Sequence, residues 1–190
     1  LEYDNVMNDQ RNLVYAQRDL VLKGDTLPDI VQGFLGDRAE ALVDEFLPAD
    51  QPGAWDTEAL ATAAAERYTL PLAADALKGQ PRERILDLLK AAFLKTYSER
   101  TAPLGPESPR LREQFILLRI IDTKWKDHLS NMDHLRSGIG LRGYAGTDPR
   151  IAYKKEGFEF FDTMISAMKE EAVSALLRVE PPQEAEAPKA

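Results

Sequence analysis

The chain of 190 residues carries a formal net charge of −8 and contains no cysteine. The lack of cysteine excludes disulfides, thiolate metal sites and catalytic thiols, and the acidic balance argues against a dedicated nucleic-acid-binding protein. No apolar run approaches the roughly 18 residues that a membrane-spanning helix requires, and no signal peptide opens the sequence. We expect a fragment of a larger protein, because Leu1 already lies inside a helical pattern.

Helical periodicity dominates the sequence and strand patterns are nearly absent, which predicts an all-α fold. The first helix is predicted over 1–22, with an apolar stripe that Gln10 and Gln17 interrupt. Lys23-Gly24 then supplies a basic last turn and a glycine stop. A second helix is predicted to carry Pro28 in its first turn and to break or bend at Gly36-Asp37.

The middle of the chain is predicted as shorter helices separated by loops. An alanine-rich helix covers 57–68 with Thr57 as its candidate N-cap, and Pro81 opens a further helix. Residues 101–109 hold three prolines and a glycine. This composition predicts a boundary between two parts of the chain.

Two long amphipathic helices joined by a glycine-rich turn follow that boundary. The first has apolar residues at steps of three and four, close to a heptad repeat, and the second begins with Asp148 as cap and Pro149 in its first turn. Two such helices joined by a short loop are predicted to pack antiparallel. The first stripe comprises Leu111, Phe115, Leu118, Ile121, Trp125, Leu129, Met132, Leu135 and Ile139, and the second Phe158, Phe161, Met164, Met168, Ala172 and Leu176.

The turn between these helices is basic, whereas an earlier part of the chain is acidic. Residues 25–58 hold nine carboxylates against Arg38 alone, and residues 136–156 hold five basic side chains against two acidic ones. Tyr144 lies in the turn and away from both apolar stripes. We interpret Tyr144 as a contact residue for a partner, with a solvated tyrosine as the alternative. The basic turn fits an anionic or polar partner surface, with a solvated charged turn as the alternative.

Two sequence patterns that could form a nucleotide site or a metal site are interpreted as structural features instead. Gly138-Ile139-Gly140-Leu141-Arg142-Gly143 matches G-x-G-x-x-G, but a dinucleotide site needs a preceding strand and here a helix precedes it. His128 and His134 are six residues apart, so they do not share a helix face as a metal-binding pair would, and they are interpreted as surface or interface residues. The aromatic residues interpreted as core and interhelix packing are Trp125, Phe158, Phe160 and Phe161.

The hairpin resembles the C-terminal helical region of the SecA family of bacterial protein-translocating ATPases. The residues that carry this resemblance are Leu117-Leu118-Arg119, Asp122, Trp125, His128-Leu129, Met132-Asp133, Leu135-Arg136, Gly138-Ile139, Leu141-Arg142-Gly143-Tyr144, Asp148-Pro149, Tyr153-Lys154 and Glu156. The opening segment 1–11 resembles the long scaffold helix of the same family, and the two matches flank a divergent middle. One departure lies in the turn, where Gly146 stands at a position that is often glutamine in the family.

The resemblance implies a long scaffold helix, a small helical wing domain and a long antiparallel two-helix hairpin. On this basis, residues 1–24 are the end of the long scaffold helix and residues 25–105 are the helical wing domain. Residues 106–180 are the two-helix finger of the scaffold, and residues 181–190 are the disordered start of a C-terminal linker.

The resemblance also implies a function for the parent protein, which would couple ATP hydrolysis in N-terminal motor domains to movement of unfolded preproteins through the SecYEG channel. The phosphate-binding motifs and the cysteine-rich zinc tail of the family are absent from this sequence. We therefore expect no cofactor and no ATP hydrolysis by this chain alone, with ATP and Mg²⁺ bound elsewhere in the parent. The expected location is cytoplasmic and peripheral at the inner face of the cell membrane, with an anionic membrane surface as a further partner and no nucleic acid.

The finger carries the residues to which the resemblance assigns roles. Those expected to contact the preprotein and the channel are Leu141, Arg142, Gly143 and Tyr144. Those expected to restrain ATPase activity through contacts with the motor domains are Asp122, Trp125 and Arg136. Arg136 and Arg142 are also candidates to meet polar or acidic loops of the channel.

Two other functions stay open from sequence alone. The chain could be a stand-alone helical module whose hairpin binds a partner protein without any motor. It could also be a nucleotide-dependent enzyme that uses the glycine-rich match, in which case the isolated chain would bind nucleotide.

Overall fold

The computed structural model describes residues 2–104, 108–141, 146 and 148–178. The helices are α1 (Glu2–Lys23), α2 (Leu27–Phe46), α3 (Thr57–Tyr68), α4 (Arg82–Thr101), α5 (Ser108–Gly138) and α6 (Pro149–Leu177). Within those ranges there is no strand, so the predicted all-α fold is confirmed. The segment 181–190, predicted to be disordered, lies outside the described residues.

By their contacts, the residues group into two compact units. The hairpin unit consists of Leu1–Leu27 and Gln114–Glu171, and the short-helix unit of Pro28–Glu113 and Ala172–Ala190. The first helix is thus grouped with most of the hairpin rather than with the short helices that follow it in sequence. The division into scaffold, wing, finger and linker segments stays a prediction.

The end of α1 depends on the predicted glycine stop. Gly24 adopts a φ of +77°, and its amide donates to the Leu20 carbonyl at 3.2 Å. The Gln114 amide group donates to the carbonyls of Val21 at 3.0 Å and Leu22 at 2.8 Å. These bonds satisfy carbonyls that a helix end leaves without partners. A Cβ on Gly24 would lie 2.9 Å from Gln114 Nε2, so both the backbone angle and the close approach require glycine.

Helix α2 runs without interruption through Gly36, so the predicted break at Gly36-Asp37 is wrong. Glycine costs a helix about 1 kcal/mol relative to alanine, which is small beside the burial of the apolar residues around it. Leu35 and Ala39, which are 1% and 0% exposed, hold this part of the helix in the core. The core also contains Tyr68 and Phe93, whose rings meet edge to face at 5.2 Å.

The N-cap of α3 is Asp56 and not the predicted Thr57. Asp56 has a non-helical φ of −120°, and its Oδ1 accepts a hydrogen bond from the Ala59 amide at 2.8 Å. Thr57 is the first helical residue, one position too late to cap. Asp56 and Thr57 are adjacent and both are good capping residues. The backbone conformation places Asp56 at the N-cap position.

Helices α5 and α6 form the predicted antiparallel hairpin. The middle of α5 meets the later part of α6, as in the ion pair of Lys124 with Glu171 at 2.6 Å. Nearer the turn, the His128 and Phe161 rings lie 5.6 Å apart. With 31 residues, α5 is about 46 Å long.

The buried faces of the hairpin differ from the predicted stripes at several positions. Leu111 and Phe115 are 70% and 67% exposed, and Phe158 is 68% exposed. On α6 the neighbouring Gly157 is buried instead, because its missing side chain lets another helix approach the backbone. The large apolar side chain of Phe158 predicted that this residue would be buried. Close packing of three helices instead buries Gly157, which has no side chain.

Replacing helical glycines of α2 by alanine should stabilise the protein. A Cβ at Gly33 or Gly36 would meet no atom within 4 Å, and alanine restricts the unfolded chain more than glycine does. We expect each of Gly33→Ala and Gly36→Ala to raise the free energy of unfolding by about 0.5–1 kcal/mol in urea titrations. The control, Gly24→Ala, should instead lower it by about 1–2 kcal/mol because of its positive φ; a stabilising Gly24→Ala would contradict this account.

Removing the α3 cap should destabilise the protein. We expect Asp56→Ala to lower the free energy of unfolding by about 1 kcal/mol, since the Ala59 amide loses its acceptor. Thr57→Ala is the matched control and should change it by less than about 0.5 kcal/mol, because its side chain does not cap. Equal effects of the two substitutions in thermal denaturation would rule out Asp56 as the cap.

Candidate interaction surface of the helical hairpin

The turn of the hairpin exposes an apolar side chain next to a buried one. Leu141 is 71% exposed, and Ile139, two residues earlier, is 4% exposed. The other predicted contact residues, Arg142, Gly143 and Tyr144, lie outside the described residues. Leu141 is thus the one predicted contact residue of the turn whose exposure is described, and its side chain is accessible to a partner.

Both ends of the turn are anchored to the hairpin unit. The buried residues at the base are Met132, Ile139, Ala152 and Tyr153, against which Tyr3, Val6, Met7 and Leu135 are packed. The rings of Tyr3 and Tyr153 meet edge to face at 4.6 Å, a contact that joins α1 to α6. Burial raises the pKa of the Tyr153 hydroxyl.

The start of α6 is capped as the sequence predicted. Asp148 Oδ1 accepts a hydrogen bond from the Arg150 amide at 2.8 Å, and the Asp148 carboxylate pairs with the Arg150 side chain at 3.1 Å. These interactions hold the pKa of Asp148 below its usual range. A charged carboxylate at a helix N-terminus also interacts favourably with the helix dipole.

Two clefts flank the base of the turn. One of about 570 Å³ lies between the start of α1 and the start of α6, and its lining includes Tyr3, Asp9, Ile151 and Lys154. The other, of about 590 Å³, lies between α5 and α6 and includes His134, Leu141 and Phe160 in its lining. Apolar and charged groups therefore lie side by side around the turn.

The three residues predicted to couple to motor domains fall into two places. Asp122 and Trp125 line one cleft of about 380 Å³, together with Tyr15, Arg18 and Asp19 of α1. Asp122 is exposed and pairs with Arg18 at 2.9 Å, whereas Trp125 is 7% exposed. The prediction that Trp125 serves in packing is confirmed.

Arg136 lies nearer the turn than the other two. Its guanidinium pairs with Asp4 at 3.4 Å and lies 5.9 Å from the centre of the Tyr3 ring. Both contacts are to α1. Arg136 therefore links the turn end of the hairpin to the first helix.

A buried polar cluster of Gln10, His128 and the Gly157 carbonyl joins three helices, and the sequence interpretation missed it. Gln10 and His128 are 6% and 2% exposed. Gln10 Nε2 donates to the Gly157 carbonyl at 2.9 Å, and Gln10 Oε1 lies 2.8 Å from His128 Nε2. Of the two interpretations of His128, as a surface or an interface residue, the structure supports the second, since His128 lies between helices. Gln10 does not interrupt the interface of α1 but lies inside it.

The hydrogen-bond direction within this cluster follows from its chemistry. The Gly157 carbonyl can only accept, so the Gln10 nitrogen must face it and the Gln10 oxygen must face His128. His128 therefore carries a proton on Nε2. Burial lowers the pKa of the His128 ring, which favours its neutral form. The sequence did contain a signal for the burial of His128: its helical spacing places it on the same face of α5 as Ile121, Trp125 and Met132.

Acid should destabilise the fold through His128. Its pKa is lower when folded than the roughly 6.5 of the unfolded chain, so the unfolded state binds the proton first and stability falls as the pH drops below about 6.5. His128→Gln, which keeps a donor nitrogen without titrating, should flatten this dependence in denaturation curves between pH 7 and 5. His134→Gln is the matched control, since that side chain is exposed; the prediction fails if both variants flatten the curve equally.

The described residues contain neither a cluster of potential metal ligands nor a helix with the length and apolar content to cross a membrane. Their charged side chains instead form ion pairs on helix surfaces.

Comparison with known proteins gives a match along almost the whole chain. A family model described as the SecA Wing and Scaffold domain matches residues 1–180. The chain is 38% identical over 180 residues to a Protein translocase subunit SecA of Heliobacterium modesticaldum, covering 94% of this chain and 21% of that protein. Proteins of the same name from Pelotomaculum thermopropionicum and Clostridium novyi are 40% and 41% identical, over 94% and 95% of this chain and 20% and 22% of their own length.

The chain thus spans about a fifth of the length of these curated relatives. The family match covers α1 to α6, including the hairpin and its turn. The protein therefore belongs to the SecA wing and scaffold domain family.

Proposed function

We propose that this chain is the wing-and-scaffold part of a translocase that moves unfolded preproteins through the SecYEG channel. The observation that carries the proposal is the family match over residues 1–180, with relatives named Protein translocase subunit SecA. ATP, with Mg²⁺, would be bound and hydrolysed by motor domains outside this sequence. This chain would pass their movement to the hairpin and would work in the cytoplasm, at the inner face of the cell membrane.

The helices of the hairpin unit suit the transmission of movement. Long packed helices move as rigid bodies, because a close-packed interface does not deform continuously. Helix α1 is attached near the turn by the Tyr3 and Tyr153 rings and farther away by the Arg18–Asp122 pair. A displacement of α1 would therefore reach the turn along two separate contacts.

The turn is proposed to contact the preprotein and the channel. The exposure of Leu141 supports this, since it places apolar surface at the end of the hairpin. Tyr144 would supply a ring for apolar contact and a hydroxyl for backbone groups, a combination that tolerates varied sequences. Arg142 would meet acidic or polar loops, with Gly143 giving the backbone access.

The coupling to motor domains is proposed for Asp122, Trp125 and Arg136. Asp122 and Trp125 support this by lining one cleft, where the Trp125 ring lies beside an ion pair to α1. Arg136 supports it differently, through its contacts with Asp4 and Tyr3. An anionic membrane surface is a further partner that the basic residues around the turn would suit.

Crosslinking from the turn tests the proposed contact with preprotein. A cysteine replacing Tyr144 in the full-length protein, with the channel and a stalled preprotein present, should form crosslinks to the preprotein. The control is Lys126→Cys on the exposed side of α5, which should give none. Equal crosslinking from both positions, or none from position 144 while the channel is engaged, would remove Tyr144 from this role.

Translocation assays test what the ring contributes. Tyr144→Ala should lower the translocation rate by about five- to tenfold, the effect of losing a contact of about 1–1.4 kcal/mol. Tyr144→Phe should retain most of the rate if the ring provides the contact. ATP binding by the full-length protein should be the same for both variants, because the proposal assigns nucleotide binding to the motor domains.

A further inference from the structure

The interface between α1 and the hairpin is apolar along most of its length. Helix α1 lies antiparallel to α5, as the pairs Asp4–Arg136 and Arg18–Asp122 indicate, and parallel to α6. Within α1 the buried positions are Gln10, Val14 and Val21, at steps of four and seven, and the partly buried Tyr3, Val6 and Met7 precede them. The buried positions of α5 repeat at similar steps. Apolar side chains with this spacing fit almost equally well after a shift of one helical turn, about 5.4 Å.

The exposed ion pairs do not specify one position of α1 either. The side chains of Arg18 and Asp122 are 37% and 55% exposed, and those of Arg136 and Asp4 are 56% and 57% exposed. Solvent-exposed pairs are weak and their long side chains can find other partners. Another interaction must therefore fix the observed axial position of α1 against the hairpin.

The polar cluster has the properties that such a selection needs. Within the described part of the hairpin unit, and apart from the aromatic residues Trp125 and Tyr153, Gln10 and His128 are the two buried polar side chains. A shift of one turn would place Gln10 against apolar residues of α5 and would leave His128 Nε2–H without its acceptor. Buried polar groups without partners are strongly disfavoured, and a single buried polar contact fixes the register of coiled coils in the same way.

We propose that the contact of Gln10 with His128 and the Gly157 carbonyl is a register lock that fixes the axial position of α1 against the α5/α6 hairpin. The lock selects one register and the apolar contacts around it supply the stability. It is a property of helix packing and does not depend on the proposed function. If the chain does serve in a translocase, the lock ensures that α1 moves the hairpin without slipping along it.

Thiol crosslinking measures the register directly, because the chain has no cysteine of its own. In the full chain, cysteines replacing Arg18 and Asp122 report the observed register, in which Arg18 Nε lies 2.9 Å from Asp122 Oδ1. A short bifunctional methanethiosulfonate reagent joins them, because the native arginine reaches farther than cysteine and a direct disulfide needs Cα atoms within about 7 Å. Cysteines at Arg18 with Leu118, or at Arg18 with Lys126, report a shift of one turn in either direction. We expect the first pair to crosslink and the two shifted pairs to remain unlinked.

The decisive variant is Gln10→Leu combined with His128→Leu. Replacing both partners by apolar residues removes the lock without leaving a buried group unsatisfied, so the protein should stay folded with a similar Tm. Crosslinking of at least one shifted pair should nevertheless rise about tenfold. A double variant that is folded and still crosslinks only at 18 and 122 would overturn the proposal.

Single substitutions keep the test decisive if the double variant does not fold. His128→Gln retains a donor nitrogen near the position of Nε2 and should keep the observed register, whereas His128→Leu should increase the shifted crosslinks. The control, Asp4→Ala with Arg136→Ala, removes an exposed link between the same helices and should leave the register unchanged. Shifted crosslinks in His128→Gln or in this control, or none in His128→Leu, would also overturn the lock.

Discussion

The structure of the hairpin unit depends on the burial of Gln10 among three helices. This side chain joins α1 to α5 through His128 and to α6 through the Gly157 carbonyl. The centres of the Trp125 and Phe161 rings each lie 5.6 Å from the centre of the histidine ring and place aromatic groups beside the polar contact. A polar contact in such surroundings favours one arrangement strongly, because every alternative leaves a buried group without a partner.

The absence of a side chain at Gly157 is as important as the hydrogen bonds. A Cβ there would lie 2.8 Å from Met132 Cε and 3.6 Å from Val6 Cγ1. Met132 and Val6 belong to the layer that supports the turn, together with Tyr153. The polar cluster and the base of the turn are therefore adjacent parts of one packed interface, and a change in the position of α1 would be felt at both.

The proposed function would give this arrangement a use. In that proposal the hairpin would carry its turn to the preprotein, and the energy would come from motor domains. Rigid attachment of α1 would suit that role, since a lever that slips loses displacement. The exposed ion pairs would add little stability of their own, but they lie along the same interface and leave charged groups accessible to other domains.

The sequence by itself determined the local features of this protein. The glycine stop at Gly24 and the Asp148 cap follow from hydrogen bonding and backbone conformation within a few residues. The all-α class and the antiparallel hairpin follow from helical periodicity and a short connection between two long helices, and the structure confirmed all four. Packing decided the rest: α2 stays continuous through Gly36, and α6 buries Gly157 and exposes Phe158. The candidate site divides in the same way. The resemblance named Leu141 as a contact residue and its side chain is exposed, whereas the burial of Gln10 and His128 required a third helix. Sequence periodicity shows which faces are apolar, but only the neighbours of a helix determine which polar group finds a partner inside.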